Sequence, residues 1–394
     1  MAIQYRYDIE ARYLYNGSEI IIGKENIKSL MIDYEYENKN MPILLLKCSI
    51  DKNVIDDMVE NNKKKYITLK VTKYIKDNSN SIKVSENYIY YQFSYFLDSN
   101  TINNRKDLDY TNNTKNSEDI MKQISIGLML QEVIDSNKKI INGIHNNQTI
   151  LEILLCYLSD RKILIEDIKD DKKYNNVIIP PVNTITQFIK YMNDQYNFYD
   201  LGYRLFYDFD KTYLLSEKGN GVFSKDEKYN SVIFTVNKTS SKDSKNLGVS
   251  IDKDNNCYTI DLDTTDIELY ENTGVAKTYG SIIGIDTEGN TTTEELNLEG
   301  SNTDNVRIER TNNLSHIKAL KSKIEDNTIT VNITKTELDT TIFTINKEYY
   351  IKNYSKQNNR IGKFTLTNKR EVYTRDSDSY ILTLLLTFKK LSEE

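Results

Sequence analysis

Hydrophobic and polar positions alternate with a period of two over much of the chain. Tyr5, Tyr7, Ile9, Ala11, Tyr13 and Tyr15 occupy successive odd positions, and Arg6, Asp8, Glu10 and Arg12 stand between them. That spacing predicts a long half-buried strand. Asn16-Gly17 supplies a tight hairpin turn and Glu19 to Ile22 begins the return. Ile32, Tyr34 and Tyr36 alternate with Asp33, Glu35 and Glu37 in a further strand. Met41-Pro42 opens another over Ile43 to Ile50, and Tyr66 to Tyr74 places Ile67, Leu69 and Val71 on one side. An aromatic strand over Tyr88 to Leu97 follows. Asp51 is placed to cap a short helix that faces Val54, Ile55, Met58 and Val59 one way. Long antiparallel strands with one small helix predict a β-barrel or a strongly curved sheet.

The middle of the chain changes period. Asp98 to Glu118 holds almost nothing apolar and reads as a surface loop or insertion. Ile124 to Ile134 fits a strand and a helix equally. Thr149 and Glu152 form a capping box before Ile150 to Leu158, a helix apolar nearly all round and therefore expected to be buried on several sides. Arg161 to Asn176 reads as a charged connection. Pro180 and Pro181, two of only three prolines, hold the chain extended until Thr184 and Gln187 offer a second capping box. Ile185, Phe188, Ile189, Met192 and Tyr196 then share one helix face. Tyr203 to Phe209 and Thr212 to Ser216 predict two short strands turning at Asp210-Lys211. Gly219 and Gly221 close this unit. Beyond it lie strand signals at Tyr229 to Val236, Tyr258 to Leu262, Thr278 to Ile285, Asn305 to Arg310 and Ile329 to Ile333. Polar loops are expected at Asn237 to Asn246 and Asp286 to Asp304. The strongest signals are Phe343 to Ile351, Arg360 to Thr367 and Tyr380 to Phe388.

With 394 residues the chain can build two or three domains. Apolar residues are sparse at 38%, yet 30 Tyr and 11 Phe supply large buried area. Net charge is −6 with both signs interspersed, and no basic block exceeds Lys63-Lys64-Lys65. Specific nucleic-acid binding is disfavoured. The acidic balance fits a conduit for a polyanion and an ordinary surface equally. Cys48, Cys156 and Cys257 are far apart and read as buried free thiols, which points to assembly in a reducing compartment. The N-terminal residues lack an apolar core of signal type, and no run approaches a membrane span, so neither secretion by a signal peptide nor membrane insertion is expected.

Candidate chemistry is thin. His145 and His316 stand in polar contexts without Cys or His at ligand spacing, so surface histidine is the reading. Asp252, Asp254 and Asn256 imitate a calcium loop, but Cys257 stands where glycine is needed and Asp263 takes the twelfth position. A polar turn fits better. Asp208 and Asp210 would need a cleft to act as an acid/base pair. Gly219-Asn220-Gly221 falls short of a phosphate loop. No catalytic, cofactor-binding or metal-binding residue is assigned, no cofactor is expected, and the chain reads as no enzyme. Tyr5, Tyr7, Tyr13, Tyr15, Tyr34, Tyr36, Tyr88, Tyr90 and Tyr91 are expected on both faces of a sheet, as subunit interfaces or sugar-stacking surfaces require.

The succession Pro-Pro, Phe-bearing helix and Tyr-rich hairpin ending Tyr-Leu-Leu-Ser, from Pro180 to Ser216, resembles the middle of baseplate hub proteins of contractile phage tails and R-type bacteriocins. Weaker echoes lie at Met41 to Val71 and Arg360 to Lys390. The resemblance implies an α+β, mainly β fold. Two tail-tube-like β-barrel domains, residues 1–97 and 225–394, would be joined by a mixed α/β connector over 98–224. It further implies a structural hub assembled in the bacterial cytoplasm as part of a baseplate. This homotrimer would join a sixfold tail tube protein to a central spike protein and touch other baseplate proteins, with no membrane contact; some of the resembled proteins carry a fused peptidoglycan-degrading module, and no separate catalytic domain is visible in this sequence. From a different class, the tyrosines would also suit a receptor- or carbohydrate-binding β protein, and Asp208 with Asp210 a hydrolase.

Overall fold

The odd-even alternation at the N-terminus becomes strand β1 (Gln4–Tyr15), which buries Tyr7, Ile9, Ala11 and Tyr13. The computed structural model describes residues 4–390 except 38, 62–64, 77–81, 98–120, 139, 159–160, 169–170, 200–201, 218–230, 238–248, 253–256, 264, 272–278, 287, 297–304, 311–316, 319, 322–328, 337 and 354–361. The sequence-based expectations for 98–118, 238–246, Gly219 to Gly221, Asp254, Asn256 and His316 lie outside the described residues.

Asn16 and Gly17, both with positive φ, turn β1 into β2 (Ser18–Ile22). Then come β3 (Ile27–Glu35), β4 (Ile43–Asp51), helix α1 (Lys52–Glu60), β5 (Ile67–Lys76) and β6 (Ile82–Leu97). The Asp51 carboxylate accepts from the Asn53 N–H at 2.8 Å and caps α1. The ambiguous apolar run divides into both alternatives, strand β7 (Met121–Leu130) and helix α2 (Gln131–Ser136). The connector holds β8 (Ile141–Gln148), α3 (Ile150–Leu158), β9 (Lys162–Ile165), β10 (Tyr174–Val182), α4 (Ile185–Tyr196), β11 (Tyr203–Tyr207) and β12 (Lys211–Ser216). Strand β9 corrects the expected charged connection: Ile163 and Ile165 join it to β12 in parallel register. After the connector run β13 (Ser231–Asn237), β14 (Val249–Asp252), β15 (Cys257–Asp263), β16 (Ile267–Glu271), β17 (Ser281–Ile285), β18 (Thr291–Glu295), β19 (Val306–Arg310), β20 (Ile329–Thr336), β21 (Glu348–Asn353), β22 (Gly362–Asp376) and β23 (Ser379–Lys390). Strand β18, TTTEE, lies where a polar loop was expected. A single 3-10 turn at Thr340–Ile342 and irregular chain to Lys347 replace the start of the strand expected from Phe343.

Pairing of these strands makes a mainly β protein with four α-helices among the described residues. Strands β22, β3, β4, β7, β6, β5, β1 and β23 pair in that order, all antiparallel, and β23 pairs back to β22. The order therefore returns to its start, through a single rung between Tyr7 and Tyr380. The same hairpin carries a second set of strands at its other end. There β21 joins β22 at Tyr349–Phe364 and leads to β13, β15 and β14, while β20 joins β23 and leads to β16. Strand pairing thus crosses the sequence positions 97/98 and 224/225, because β7 and the β22–β23 hairpin complete the circuit that β1 to β6 begin.

One contiguous core fills these layers, from Tyr7, Tyr13 and Leu46 to Phe234, Tyr349 and Phe388. All five alternating residues of β23, Tyr380, Leu382, Leu384, Leu386 and Phe388, are buried in it. A separate small sheet, β18–β17–β19, closes over Ile282, Leu296 and Ile317. Among the described residues no helix is long and apolar enough to cross a membrane.

Candidate functional site

The stretch from Pro180 to Ser216 clamps the connector onto the closed circuit. Two prolines, unable to donate to a ladder, fill the register shift in β10 between Ile179 and Val182, and Val182 makes the last rung with Ile141. The Thr184 hydroxyl then accepts from the Gln187 N–H at 3.1 Å, and the Gln187 side-chain oxygen accepts from the Asn183 N–H at 3.0 Å. That exchange starts α4, which buries Ile185, Phe188, Ile189 and Met192 and ends at Asn197 in the left-handed region. The β11–β12 hairpin follows and drives two aromatic rings into the circuit. Phe206 meets Tyr36 edge-on with centroids 4.5 Å apart, and Phe209 stacks on Tyr91 at 5.5 Å. Backbone contacts fix the approach: the Tyr207 N–H donates to the Asn40 carbonyl at 2.7 Å, and Arg161 Nη2 donates to the carbonyls of Asp208 and Phe209 at 2.6 and 2.7 Å. Arg204 Nη1 reaches Thr365 Oγ1 on β22 at 3.0 Å.

Beneath this lid lies a buried ion pair. Lys369 Nζ stands 3.3 Å from Glu371 Oε1, and Tyr373 OH donates to Glu371 Oε2 at 2.8 Å. Glu371 is 0% and Lys369 4% exposed, and the ammonium also sits 4.0 Å from the centroid of the Tyr34 ring. A bulge places these charges inside. Up to Leu366 the even positions of β22 face inward, whereas past the register shift between Leu366 and Asn368 the odd positions do. The strand expected over Arg360 to Thr367 stops short of the pair, and unbroken parity continued beyond it would put Arg370 and Val372 inside instead.

Residues singled out for possible chemistry sit in structural settings. Asp208 turns its Oδ1 back to accept from the Phe209 N–H at 2.8 Å, and burial raises its pKa. Asp210 is exposed at the hairpin tip. His145 is held between Gln148 Oε1 at 2.7 Å and Tyr157 OH at 2.9 Å. Asp252 and Cys257 face each other across the β14–β15 pair, and β15 carries Asp263 about 20 Å further along at the usual strand rise. Among the described residues no three His, Cys, Asp or Glu side chains converge as a metal site would require.

Two expectations about exposure are corrected. Tyr7, Tyr13, Tyr34 and Tyr36 are buried, and Tyr5, Tyr15 and Tyr91 are half-buried against the core. The Tyr13 hydroxyl donates to Asp57 Oδ2 at 2.6 Å, a partner within the protein. The side chains of Tyr88 and Tyr90 lie outside the described residues. Cys156 and Leu155 are exposed on α3, because its apolar faces outnumber the neighbours available to cover them. Cys48 and Cys257 are buried free thiols.

A sequence model for the Bacteriophage PBS1 gene 109 protein matches residues 2–391. The chain belongs to that family. No curated protein matches it in sequence. The tail protein from Neisseria meningitidis MC58 shares its fold at a TM-score of 0.52 and 9% identity, over 98% of this chain and 96% of that one. The Francisella PdpA–VgrG complex in its lidded form gives 0.51 and 12% over 99% of this chain, which spans 54% of that one. The likeness to phage-tail proteins expected from Pro180 to Ser216 is borne out by membership of a bacteriophage protein family and by a fold shared with a tail protein.

Proposed function

We propose that this family member is a non-enzymatic structural hub of a baseplate, three copies of which join a sixfold tail tube to a central spike. The observation that carries the reading is the β22–β23 hairpin, shared by a closed circuit of eight strands and by a second run of eight. Each chain then offers two tube-like β units, the first a barrel, and three chains offer six. A threefold assembly built this way matches a sixfold ring on one face and a threefold spike on the other. The connector, locked to the first unit by Phe206, Phe209 and Arg204, fixes each chain as a stiff wedge. Stiffness suits a part that transmits thrust when a sheath contracts. Similarity to tail proteins supports the setting, a phage or phage-like particle assembled in the cytoplasm.

Light scattering on the purified protein, alone and mixed with the spike protein of the same particle, tests the proposal. A mass three times the 46.0 kDa of one chain, or a three-to-three complex on mixing, is the expected result. A monomer indifferent to the spike would refute it. The rival sugar-binding reading is weakened, since Tyr7, Tyr13, Tyr34 and Tyr36 among the tyrosines that suggested it are turned inward.

A further inference from the structure

The three contacts around His145 ask for one proton more than neutral side chains supply. His145 lies opposite the buried Val177 on the two-stranded ribbon β8–β10 and is itself half-buried. Its Nδ1 meets Gln148 Oε1 at 2.7 Å and its Nε2 meets the Tyr157 hydroxyl at 2.9 Å, and that hydroxyl donates to the Asn142 carbonyl at 3.3 Å. The oxygens of Gln148 and Asn142 only accept. Three hydrogen bonds in a row therefore need three protons. A neutral imidazole brings one and the phenol one, so one contact is left as two facing lone pairs. An imidazolium completes the row: Nδ1–H donates to Gln148, Nε2–H to the Tyr157 oxygen, and the Tyr157 O–H to Asn142. Burial raises the Tyr157 pKa, so the phenol keeps its proton over the range in which histidines titrate.

The backbone is shaped for this approach. A Cβ on Gly143 would lie 2.9 Å from the Tyr157 oxygen and 3.5 Å from His145 Nε2, so glycine is what admits the hydroxyl to the ribbon. Phe188 on α4 holds the Tyr157 ring from the other side, with centroids 4.8 Å apart. The elements packed here bring few charges. Strands β8 and β10 contain no Asp, Glu, Lys or Arg. Helix α3 carries Glu152, which accepts from the Thr149 N–H, and Asp171 ahead of β10 accepts from the Ile150 N–H. Helix α4 carries Lys190 and Asp194, Cys156 precedes Tyr157 and is exposed, and burial raises the pKa of Tyr174 and Tyr191. We propose that His145, Tyr157 and Gln148 form a pH-sensitive clasp between the ribbon and α3, open-ended while the imidazole is neutral and closed when it takes up a proton. The clasp lies within one chain and does not rest on the homotrimer reading.

Hydrogen exchange of the whole chain at about pH 8 and about pH 5.5, corrected for intrinsic rates and read by mass spectrometry, tests the clasp. Protection of β8 and α3, taken relative to the β22–β23 hairpin, is expected to rise about tenfold on acidification, the effect of roughly one hydrogen bond to a charged group. His145→Gln and Tyr157→Phe each remove a member of the row and are expected to abolish the rise. The chain has only two histidines, so nitrogen-15 spectra of histidine-labelled protein, with His316→Gln for assignment, read the state of the ring directly. Both His145 nitrogens are expected to carry protons where protection has risen. A wild-type protein without the rise, a rise that survives in Tyr157→Phe, or a rise with the His145 ring still neutral would overturn the inference. If Tyr157→Phe melts early, His145→Gln decides alone, because it leaves the contact between Tyr157 and Phe188 in place: a lost rise supports the clasp, and a retained one overturns it.

Discussion

Replacing Lys369 by methionine isolates the energetics of the ion pair under the connector lid. At 3.3 Å and an effective dielectric of about 20, the attraction between Lys369 and Glu371 is about 5 kcal/mol. Desolvating two ions costs several kcal/mol each, so the pair as a whole contributes little. Removing one partner is different. In Lys369→Met the Glu371 carboxylate stays fully buried, with the Tyr373 hydroxyl as its remaining close donor at 2.8 Å. A loss of about 3–5 kcal/mol is expected, while Lys369→Met/Glu371→Leu is expected within about 1–2 kcal/mol of wild type. Urea unfolding at neutral pH, followed by far-ultraviolet circular dichroism, measures both, and equal slopes with denaturant would show that the unfolded states are comparable. The reasoning is refuted if the double variant costs as much as the two single variants added together, or if Lys369→Met costs less than about 1 kcal/mol.

Three further outcomes follow from named contacts. Burial alone would raise the Asp33 pKa, but Arg370 at 3.1 Å and Lys39 at 3.2 Å outweigh it and hold the carboxyl below its ordinary 3.8. Its stabilisation is therefore present above pH 3.8 and lost as the pH falls through the lowered value, so Asp33→Asn should cost about 1–3 kcal/mol at pH 7 and converge with wild type in acid, as urea titrations across pH would record. Native alkylation read by mass spectrometry should modify Cys156 alone and reach all three cysteines only in denaturant, since Cys48 is buried and burial pushes its thiol up to about 12. Phe206→Ala removes a ring at 0% exposure and should cost about 3–5 kcal/mol while making the β11–β12 hairpin cleavable by limited proteolysis; a variant as resistant as wild type would show that the lid is held elsewhere.

Elements with a local signature were legible in the sequence. The reciprocal box at Thr149 and Glu152 forms with bonds of 2.9 and 3.2 Å, and Asn16-Gly17 turns where the pattern places it. Period two in β1 and β23 named the buried residues one by one. What failed was set by distant partners. KILI in β9 looked like part of a charged connection because its worth as a strand comes from β12, and TTTEE in β18 is held by β17 rather than by its own apolar content. The bulge in β22 leaves no mark in composition, yet it reverses which residues face inward and hides Lys369 and Glu371. Tyrosines in strands cannot announce whether their hydroxyls will find partners inside or at a neighbour.

The hairpin at the C-terminal end has a bearing on synthesis. Tyr380 on β23 bonds the carbonyl of Lys24, 356 residues earlier, and pairs with Tyr7 on β1. During synthesis β1 and β3 wait with open edges until β22 and β23 have been made. A copy without the β22–β23 hairpin closes neither set of strands and exposes ladder edges. Closure of both sets of strands thus waits on one hairpin.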